Sequence, residues 1–455
     1  MSNGSTPAPN PDPPANPGIT RLTVGGYKSL RDEQSIAIRP LTILAGANSS
    51  GKSSMMQPLL LLKQTLEAPY DPGPLLLNGP NVRLTSVEQM LWPKGSEFHV
   101  GIEIDAVESF VTHFFKPKAL SIQVQETDYK VTHRRFLSER QREDYYNLRL
   151  DMDRSQILEA MPQLLDTLSS GLYVDWKIIR YRCFLKLTGV FRWTHNQAIA
   201  DRASVDELFE LSVFTDPIVA LIHLPGLRGS PERIYPLTAV GDTFSGTFDP
   251  YTASIILKWQ DDKDKARLDK LTEQLRALGL TGRVAAKRLN DAQVEIQVGR
   301  RVDSPARDMV SIADVGLGVS QTLPVLVALL VAKPGQLVYL EQPEIHLHPR
   351  AQVALAGALA DAARRGVRVV AETHSALLLR GVQTLVAEGT LDPTLVALHW
   401  FTRGKDGATT VIEGDLDAAG AFGDWPEDFS TVDLATDSRY LDAAEARLFA
   451  ESNGS

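Results

Sequence analysis

The chain has 455 residues, of which 43% are hydrophobic and 23% charged, a balance typical of a folded protein with roughly two or three lobes. Its net charge of −9 excludes a general nucleic-acid coat and leaves only a local basic groove open. Cys183 is the only cysteine, which excludes an intramolecular disulfide and indicates a reducing cytoplasm. Neither a secretory signal nor an apolar run of about 18 residues is visible, so no membrane partner is expected.

The N-terminal residues 1–18 are rich in proline, asparagine, serine and glycine. A segment of this composition cannot bury enough apolar surface to become ordered. We therefore expect a disordered tail before the first folded element.

A complete G-x-x-x-x-G-K-[ST] phosphate-binding loop occupies residues 46–53. The apolar run 41–45 before it predicts a buried strand, and residues 55–62 after it predict a helix. Glycines let successive backbone amides point at an anion, and the helix N-terminus adds positive potential. Lys52 is expected to reach the β- and γ-phosphates of a nucleoside triphosphate, and the Ser53 hydroxyl to bind Mg²⁺. The predicted phosphate-contacting residues are Gly46, Ala47, Asn48, Ser49, Ser50, Gly51, Lys52, Ser53 and Ser54.

The middle of the chain mixes strand and helix patterns. Residues 97–136 look β-rich because apolar and polar residues alternate, and residues 173–191 return to strand. Residues 155–168 have a helical period, and residues 261–278 predict a strongly amphipathic helix. A nucleotide-binding fold split by a long insertion explains this order.

From Ser311 onward, helices and strands alternate, which predicts a parallel sheet covered by helices. Glu341 ends an apolar strand, and an acid at the carboxyl end of a central parallel strand can hold Mg²⁺ through water beside a phosphate loop. Another short strand leads to His374, whose ring can contact a γ-phosphate or an attacking water. A glycine-serine turn that opens a helix provides a second anion-binding N-terminus, with Gly316, Gly318 and Ser320.

These motifs, in this order, resemble the ABC-type ATPases of the SMC, RecF and OLD kind. The later motifs are D-V-G-L-G-V-S-Q at 314–321, L-E-Q-P-E-I-H-L-H-P at 340–349 and E-T-H-S at 372–375. More narrowly, the chain is similar to bacterial "AAA family" ATP-binding proteins found alone or beside nucleases in phage-defence operons, such as the ATPase of Septu-like systems. G-Y-K-S-L at 26–30 and G-D-W-P-E-D-F at 423–429 match that narrower group.

The resemblance implies an α/β fold, namely a P-loop ABC-type ATPase head with a mixed sheet that is split by a long α+β insertion. The expected divisions are the tail (1–18), the first part of the core with the phosphate loop (19–104), the inserted region (105–220), a second lobe with the amphipathic helix (221–310) and the second part of the core (311–455).

The resemblance also implies ATP and Mg²⁺ as cofactors and a homodimer, or a higher oligomer, that closes head to head around ATP. In such ATPases the signature turn of one subunit caps the γ-phosphate held by the other. Carried over, Gly316, Gly318 and Ser320 contact ATP bound at Lys52 of a twin molecule. The chain is then a nucleotide-controlled switch for a partner effector such as a nuclease, in antiphage defence. The alternative is a RecF- or SMC-like repair ATPase that acts directly on nucleic acid.

One position departs from the family pattern. Against the usual L-D-E-P, Glu341 takes the magnesium position and Gln342 takes the position of the general base. An amide can orient water but cannot accept its proton. Either Glu344 or His374 compensates, or hydrolysis is slow, and we expect a weak ATPase.

Several weaker signals accompany these motifs. Gln89 is a weak candidate for a glutamine that senses Mg²⁺, and a plain surface glutamine is the competing interpretation. His346 and His348 indicate a dimer-facing turn rather than a metal pair. Arg228 and Arg233 are expected either to support the nucleotide-binding lobe or to form salt bridges.

The insertion contains a set of basic residues that a nucleic-acid groove would require. Interleaved acids make an ordinary solvated surface the better interpretation. The basic residues are His133, Arg134, Arg135, Arg140, Arg142, Lys177, Arg180, Arg182, Lys186 and Arg192.

Overall fold

The structure is a computed structural model that describes residues 18–118, 121–134, 141–161, 173–195, 198–202, 210–303, 305, 307–423, 438, 439 and 441. The predicted tail lies outside these residues except for Gly18, as do Arg135, Arg140 and the 424–429 part of the C-terminal motif.

The strands alternate with helices mainly in the second half of the chain. In chain order the strands are β1 (Ile19–Gly25), β2 (Gln34–Ala37), β3 (Leu41–Gly46), β4 (Glu97–Ile104), β5 (Glu108–Phe115), β6 (Gln123–Arg134), β7 (Gln141–Arg149), β8 (Tyr173–Tyr181), β9 (Phe184–His195), β10 (Ala198–Arg202), β11 (Ile222–Leu224), β12 (Tyr235–Pro236), β13 (Val284–Asn290), β14 (Gln293–Gly299), β15 (Met309–Ser311), β16 (Leu337–Glu341), β17 (Arg368–Glu372), β18 (Val396–Arg403) and β19 (Thr409–Gly414). The helices are α1 (Lys52–Glu67), α2 (Arg154–Ala160), α3 (Ser212–Val219), α4 (Thr252–Asp261), α5 (Lys265–Ala277), α6 (Leu317–Val331), α7 (Pro349–Arg364) and α8 (Ala376–Ala387).

The central sheet is mixed. Parallel strands lie in the order β11, β16, β17, β3 and β18, and β19 adds an antiparallel edge. This arrangement confirms the α/β prediction for the region after Ser311. Because β17 lies between β16 and β3, the carboxyl ends of these strands bring the phosphate loop and the two later acidic motifs to one edge.

Side chains of the central strands alternate between two hydrophobic cores. Val369 and Ala371 of β17 join the core built with α6, α7 and α8, whereas Val370 joins the core built with α1 and β1. Burial on both faces explains the near-continuous apolar runs seen in the sequence. The same alternation places Glu341 and Glu372 on the α1 face.

A second sheet of six strands is antiparallel, in the order β2, β1, β4, β5, β6 and β7. The β-rich prediction for residues 97–136 is confirmed by β4, β5 and β6. The predicted division between residues 104 and 105 falls within a hairpin, since β4 and β5 pair in register on either side of it, from Glu97 with Phe115 to Ile104 with Glu108.

The remaining predicted elements are found with small shifts. The helix predicted over 155–168 is α2, and residues 162–168 lie outside the described ranges. The amphipathic helix predicted over 261–278 is α5, which begins after Asp264 because that carboxylate accepts from the Arg267 amide at 3.1 Å. Within the described part of the chain, no helix is both long and apolar enough to cross a bilayer.

Candidate functional site

The phosphate loop has the backbone that its sequence predicts. It joins β3 to α1, and Gly46, Ser49 and Gly51 have φ angles of 144°, 60° and 107°. A side chain at Gly51 would bring its Cβ within 2.5 Å of the Thr409 hydroxyl, so only glycine fits there. The loop therefore curls around the N-terminus of α1, which is the geometry of an anion-binding cradle.

A cleft of about 820 Å³ opens over this loop. On the loop side it is lined by residues 48–54 together with Gln342, Glu372 and His374. The opposite side is formed by Lys28, Ser29, Leu91, Trp92, Pro93, Arg403, Asp406 and Gly407. Such a volume suits a nucleotide-sized ligand. Lys28, Lys52 and Arg403 give the cleft the positive charge that a polyphosphate requires.

The Lys52 ammonium lies against the loop itself. Its Nζ donates to the carbonyls of Gly46 at 3.0 Å and Ala47 at 2.8 Å. Burial lowers the pKa of Lys52, and the nearby carboxylates of Glu372 and Glu344 oppose that shift. Phosphate oxygens would replace these neutral carbonyl partners with stronger, charge-assisted ones.

The acid nearest to the phosphate loop is Glu372, at the end of β17. Ser53 donates from Oγ to Glu372 Oε1 at 2.9 Å, and Tyr339 donates from its hydroxyl to Glu372 Oε2 at 2.9 Å. Burial raises the pKa of Glu372, although hydrogen bonds from Tyr339 and Ser53 partly offset the effect. In the sequence, Glu372 is marked only as a second carboxylate at the end of a predicted strand.

Glu341, the predicted magnesium residue, lies one strand further from the loop and does not line the cleft. Its Oε1 lies 3.1 Å from His223 Nε2, and its Oε2 accepts from the Gly226 amide at 3.1 Å. Burial disfavours the charge on Glu341, but His223, Gly226 and Arg228 together outweigh it, so the pKa of Glu341 is lowered. The structure thus places Glu341 in an internal network.

The three predicted catalytic residues occupy different positions. Gln342 and His374 line the cleft, whereas Glu344 is buried beneath it. Glu344 Oε1 accepts from the Thr373 hydroxyl at 2.6 Å and from the His374 amide at 3.1 Å. Glu344 therefore fixes the backbone of the E-T-H-S segment. Burial, followed by the charge of Lys52, lowers the pKa of His374, which favours the neutral form of its ring.

The signature residues do not line the cleft of their own molecule. Gly316 precedes the first turn of α6 and has open space around its missing side chain, while Leu317 is 44% exposed. Gly318 lies in the same turn, and Ser320 Oγ donates to the Leu317 carbonyl at 3.1 Å. Gly316 and Leu317 are therefore exposed, whereas Ser320 is buried.

Gln89 is not brought to the cleft. It ends a short 3₁₀ turn, Val87–Gln89, where its side chain accepts from the Thr85 amide and donates to the Thr85 hydroxyl, both at 2.9 Å. These local hydrogen bonds fit the interpretation of Gln89 as a plain surface glutamine.

Among the described residues, no group of three or more His, Cys, Asp or Glu side chains forms a ready-made metal site. His348 instead caps α7, where its ring accepts from the Arg350 amide at 3.4 Å. Mg²⁺ differs from most metals in needing only one or two carboxylates when phosphates and water complete its shell. The oxygen donors Ser53 and Glu372 fit such a role.

One family of known proteins matches part of the sequence. The family described as "AAA domain, putative AbiEii toxin, Type IV TA system" matches residues 176–380, a range that contains the signature turn, the Glu341 strand and the E-T-H-S segment. The matched range covers less than half of the chain. No curated protein matches the sequence.

Solved structures similar to this chain include three SMC heads with low sequence identity. One is the SmcHead bound to the C-winged helix domain of ScpA, with 12% identity, a TM-score of 0.42 and coverage of 88% of this chain and 99% of that chain. Another is the SMC head domain from Thermotoga maritima, with 11% identity, a TM-score of 0.36 and coverage of 87% and 98%. A third is the Smc head domain with an extended coiled coil bound to the C-terminal domain of ScpA derived from Pyrococcus furiosus, with 12% identity, a TM-score of 0.42 and coverage of 88% and 97%.

Proposed function

We propose that this chain binds ATP with Mg²⁺ in the cleft, hydrolyses it slowly, and acts as a nucleotide-controlled switch. The observation that carries the proposal is the convergence of the phosphate loop, Gln342, Glu372 and His374 on one cleft of about 820 Å³. These residues come from three different strand ends, and their meeting in one cleft is what phosphoryl transfer requires.

Each residue has a defined task in the proposed reaction. Lys52 exchanges the Gly46 and Ala47 carbonyls for phosphate oxygens, and the amides of the loop hold the rest of the polyphosphate. Ser53 and Glu372 would hold Mg²⁺, which would supply positive charge beside the bound polyphosphate. Gln342 orients the attacking water, and the neutral ring of His374 accepts a hydrogen bond from it.

Slow turnover is part of the proposal. The Gln342 amide cannot accept a proton. Glu344 is buried and does not line the cleft, and its Oε1 accepts from Thr373 and His374. A missing general base typically costs about 10²- to 10⁴-fold in rate. An ATP-bound state that persists under these conditions suits a switch better than a motor.

We further propose that ATP joins two copies head to head. The exposed turn at Gly316 and the open cleft of the same molecule are then complementary surfaces of a two-fold dimer. The helix N-terminus of α6 would recognise the charge on the γ-phosphate that hydrolysis removes. The proposed output, by resemblance, is control of an effector such as a nuclease in antiphage defence.

Light scattering of the protein with and without ATP tests the switch. We expect a monomer without nucleotide, a dimer with ATP and Mg²⁺, and a monomer for Lys52→Ala under both conditions. A wild-type protein whose mass does not change with ATP would contradict the dimer.

ATP turnover measured with and without DNA or RNA tests the alternative that the protein acts directly on nucleic acid. Two of the basic residues in the insertion already make internal contacts: Arg180 pairs with Asp71 at 2.6 Å, and Arg182 donates to the Thr65 carbonyl. We therefore expect ATP turnover to be unchanged by added DNA or RNA. Stimulation of many-fold would favour the repair-ATPase alternative.

A further inference from the structure

Two carboxylates at this edge of the sheet are candidates for holding Mg²⁺. Glu341 and Glu372 are direct neighbours in the parallel register of β16 and β17, and both point to the α1 face. They differ in distance from the phosphate loop. Since strands lie about 4.8 Å apart, Glu372 is one strand spacing from β3, and Glu341 is two, or about 10 Å.

The contacts of the two carboxylates separate them further. Glu372 lines the cleft and is the direct partner of the Ser53 hydroxyl at 2.9 Å. Glu341 is turned away toward β11, where His223 and the Gly226 amide contact its two oxygens. Asn81 lies within 3.0 Å of His223, whose ring stacks on the Tyr339 ring. These contacts fix the His223 ring beside Glu341.

Glu372 is held in place as a metal-binding carboxylate would need to be. The Tyr339 hydroxyl fixes its Oε2, and its backbone carbonyl accepts from the Gln342 amide at 2.8 Å. Oxygen donors on a rigid strand end, next to the phosphates, are what Mg²⁺ selects.

We propose that Glu372, and not Glu341, is the carboxylate that holds Mg²⁺ together with Ser53, while Glu341 is a structural residue that anchors His223 and the loop at Gly226. The inference rests on the proposed ATP binding and assigns one residue of that site. Tyr339 is a positioning residue for Glu372.

The magnesium dependence of ATP binding tests this assignment. Calorimetric affinities for ATP are measured in excess EDTA and in saturating Mg²⁺ for the full chain, and their ratio is compared among wild type, Glu372→Gln and Glu341→Gln. We expect Glu372→Gln to retain binding in EDTA and to lose about 10- to 100-fold of the magnesium effect, the usual range for damage to a metal site. Glu341→Gln should keep a ratio close to wild type.

The ratio separates metal binding from a merely structural role, which would change both affinities equally. An unchanged ratio in Glu372→Gln, or an equal loss in Glu341→Gln, would overturn the assignment. If Glu372→Gln does not fold, Tyr339→Phe decides, because loss of the hydroxyl should lower the ratio and an unaltered ratio would contradict the inference. Wild-type protein that binds no ATP even in EDTA would refute the proposed function itself.

Discussion

The Arg228 guanidinium donates from Nη2 to the backbone carbonyl of Gln342 at 3.0 Å. Gln321 of α6 donates in turn to the carbonyls of Arg228 and Gly229 at 2.7 and 2.9 Å. The helix that carries the signature turn is therefore joined, within one molecule, to the loop that carries Gln342. Burial lowers the pKa of Arg228 to about 10, so the side chain stays charged at neutral pH.

Gln321→Leu tests this connection. It leaves two carbonyls without their side-chain donor, and an unsatisfied buried polar group costs about 1–3 kcal/mol. We expect a lower melting temperature and a larger loss in ATP turnover than in ATP affinity, because the Gln342 loop loses its support. Gln293→Leu, at an exposed strand position, is the matched control. A Gln321→Leu protein with the melting temperature and ATP turnover of wild type would show that this connection contributes to neither stability nor catalysis.

Gln342→Glu should accelerate ATP hydrolysis. The substitution places a proton acceptor at the cleft position where the family pattern has its general base, and such a base contributes about 10²- to 10⁴-fold. Phosphate release in a single-turnover experiment measures the effect directly, with Gln342→Asn as the amide control. A rate equal to wild type would point to His374 as the base.

The sequence predicts one part of the candidate site and leaves another part open. The phosphate loop was predictable because its glycines, Lys52 and Ser53 are contiguous, and their geometry is set locally. The position of Glu372 was not, because it depends on β17 lying between β16 and β3, a strand order that no local pattern contains. For the same reason, no local pattern could show that His223, 118 residues earlier in the chain, contacts an oxygen of Glu341.

Trp92→Ala should weaken ATP more than it weakens inorganic tripolyphosphate. Trp92 lines the cleft, with the Arg31 guanidinium 5.6 Å from its ring centroid, and forms the wall where the nucleobase would lie. A lost aromatic contact of about 0.5–1.5 kcal/mol corresponds to an affinity about 2- to 13-fold lower. Calorimetry with both ligands measures the difference. Tyr70→Ala changes an aromatic residue that is 62% exposed and should leave both affinities unchanged. If Trp92→Ala also leaves both affinities unchanged, the nucleobase does not contact Trp92.

Gly316→Glu should abolish ATP-dependent dimerisation without loss of ATP binding. A side chain at Gly316 has open space in the single chain, so the fold tolerates it, but its carboxylate would meet the γ-phosphate held by a twin molecule. Gly241→Glu makes the same change at another glycine with open space and serves as control. Light scattering with ATP reads out the result. A Gly316→Glu protein that still dimerises would exclude this turn from the interface.

The fold itself was predictable to different degrees along the chain. After Ser311 the apolar strands and amphipathic helices follow each other at short intervals, so periodicity alone placed β16, β17 and the helices between them. In the N-terminal half, alternation identified strands but not where one sheet ends. Pairing of β4 with β5 continues the sheet past Ile104, and no change of composition marks that hairpin.

Calorimetric titration of the wild-type chain and Lys52→Ala with ATP and Mg²⁺ tests the central claim most directly. We predict saturable heat at one site per wild-type chain and its loss in Lys52→Ala, with both proteins melting at similar temperatures. A wild-type titration without heat, or equal binding by Lys52→Ala, would contradict the account.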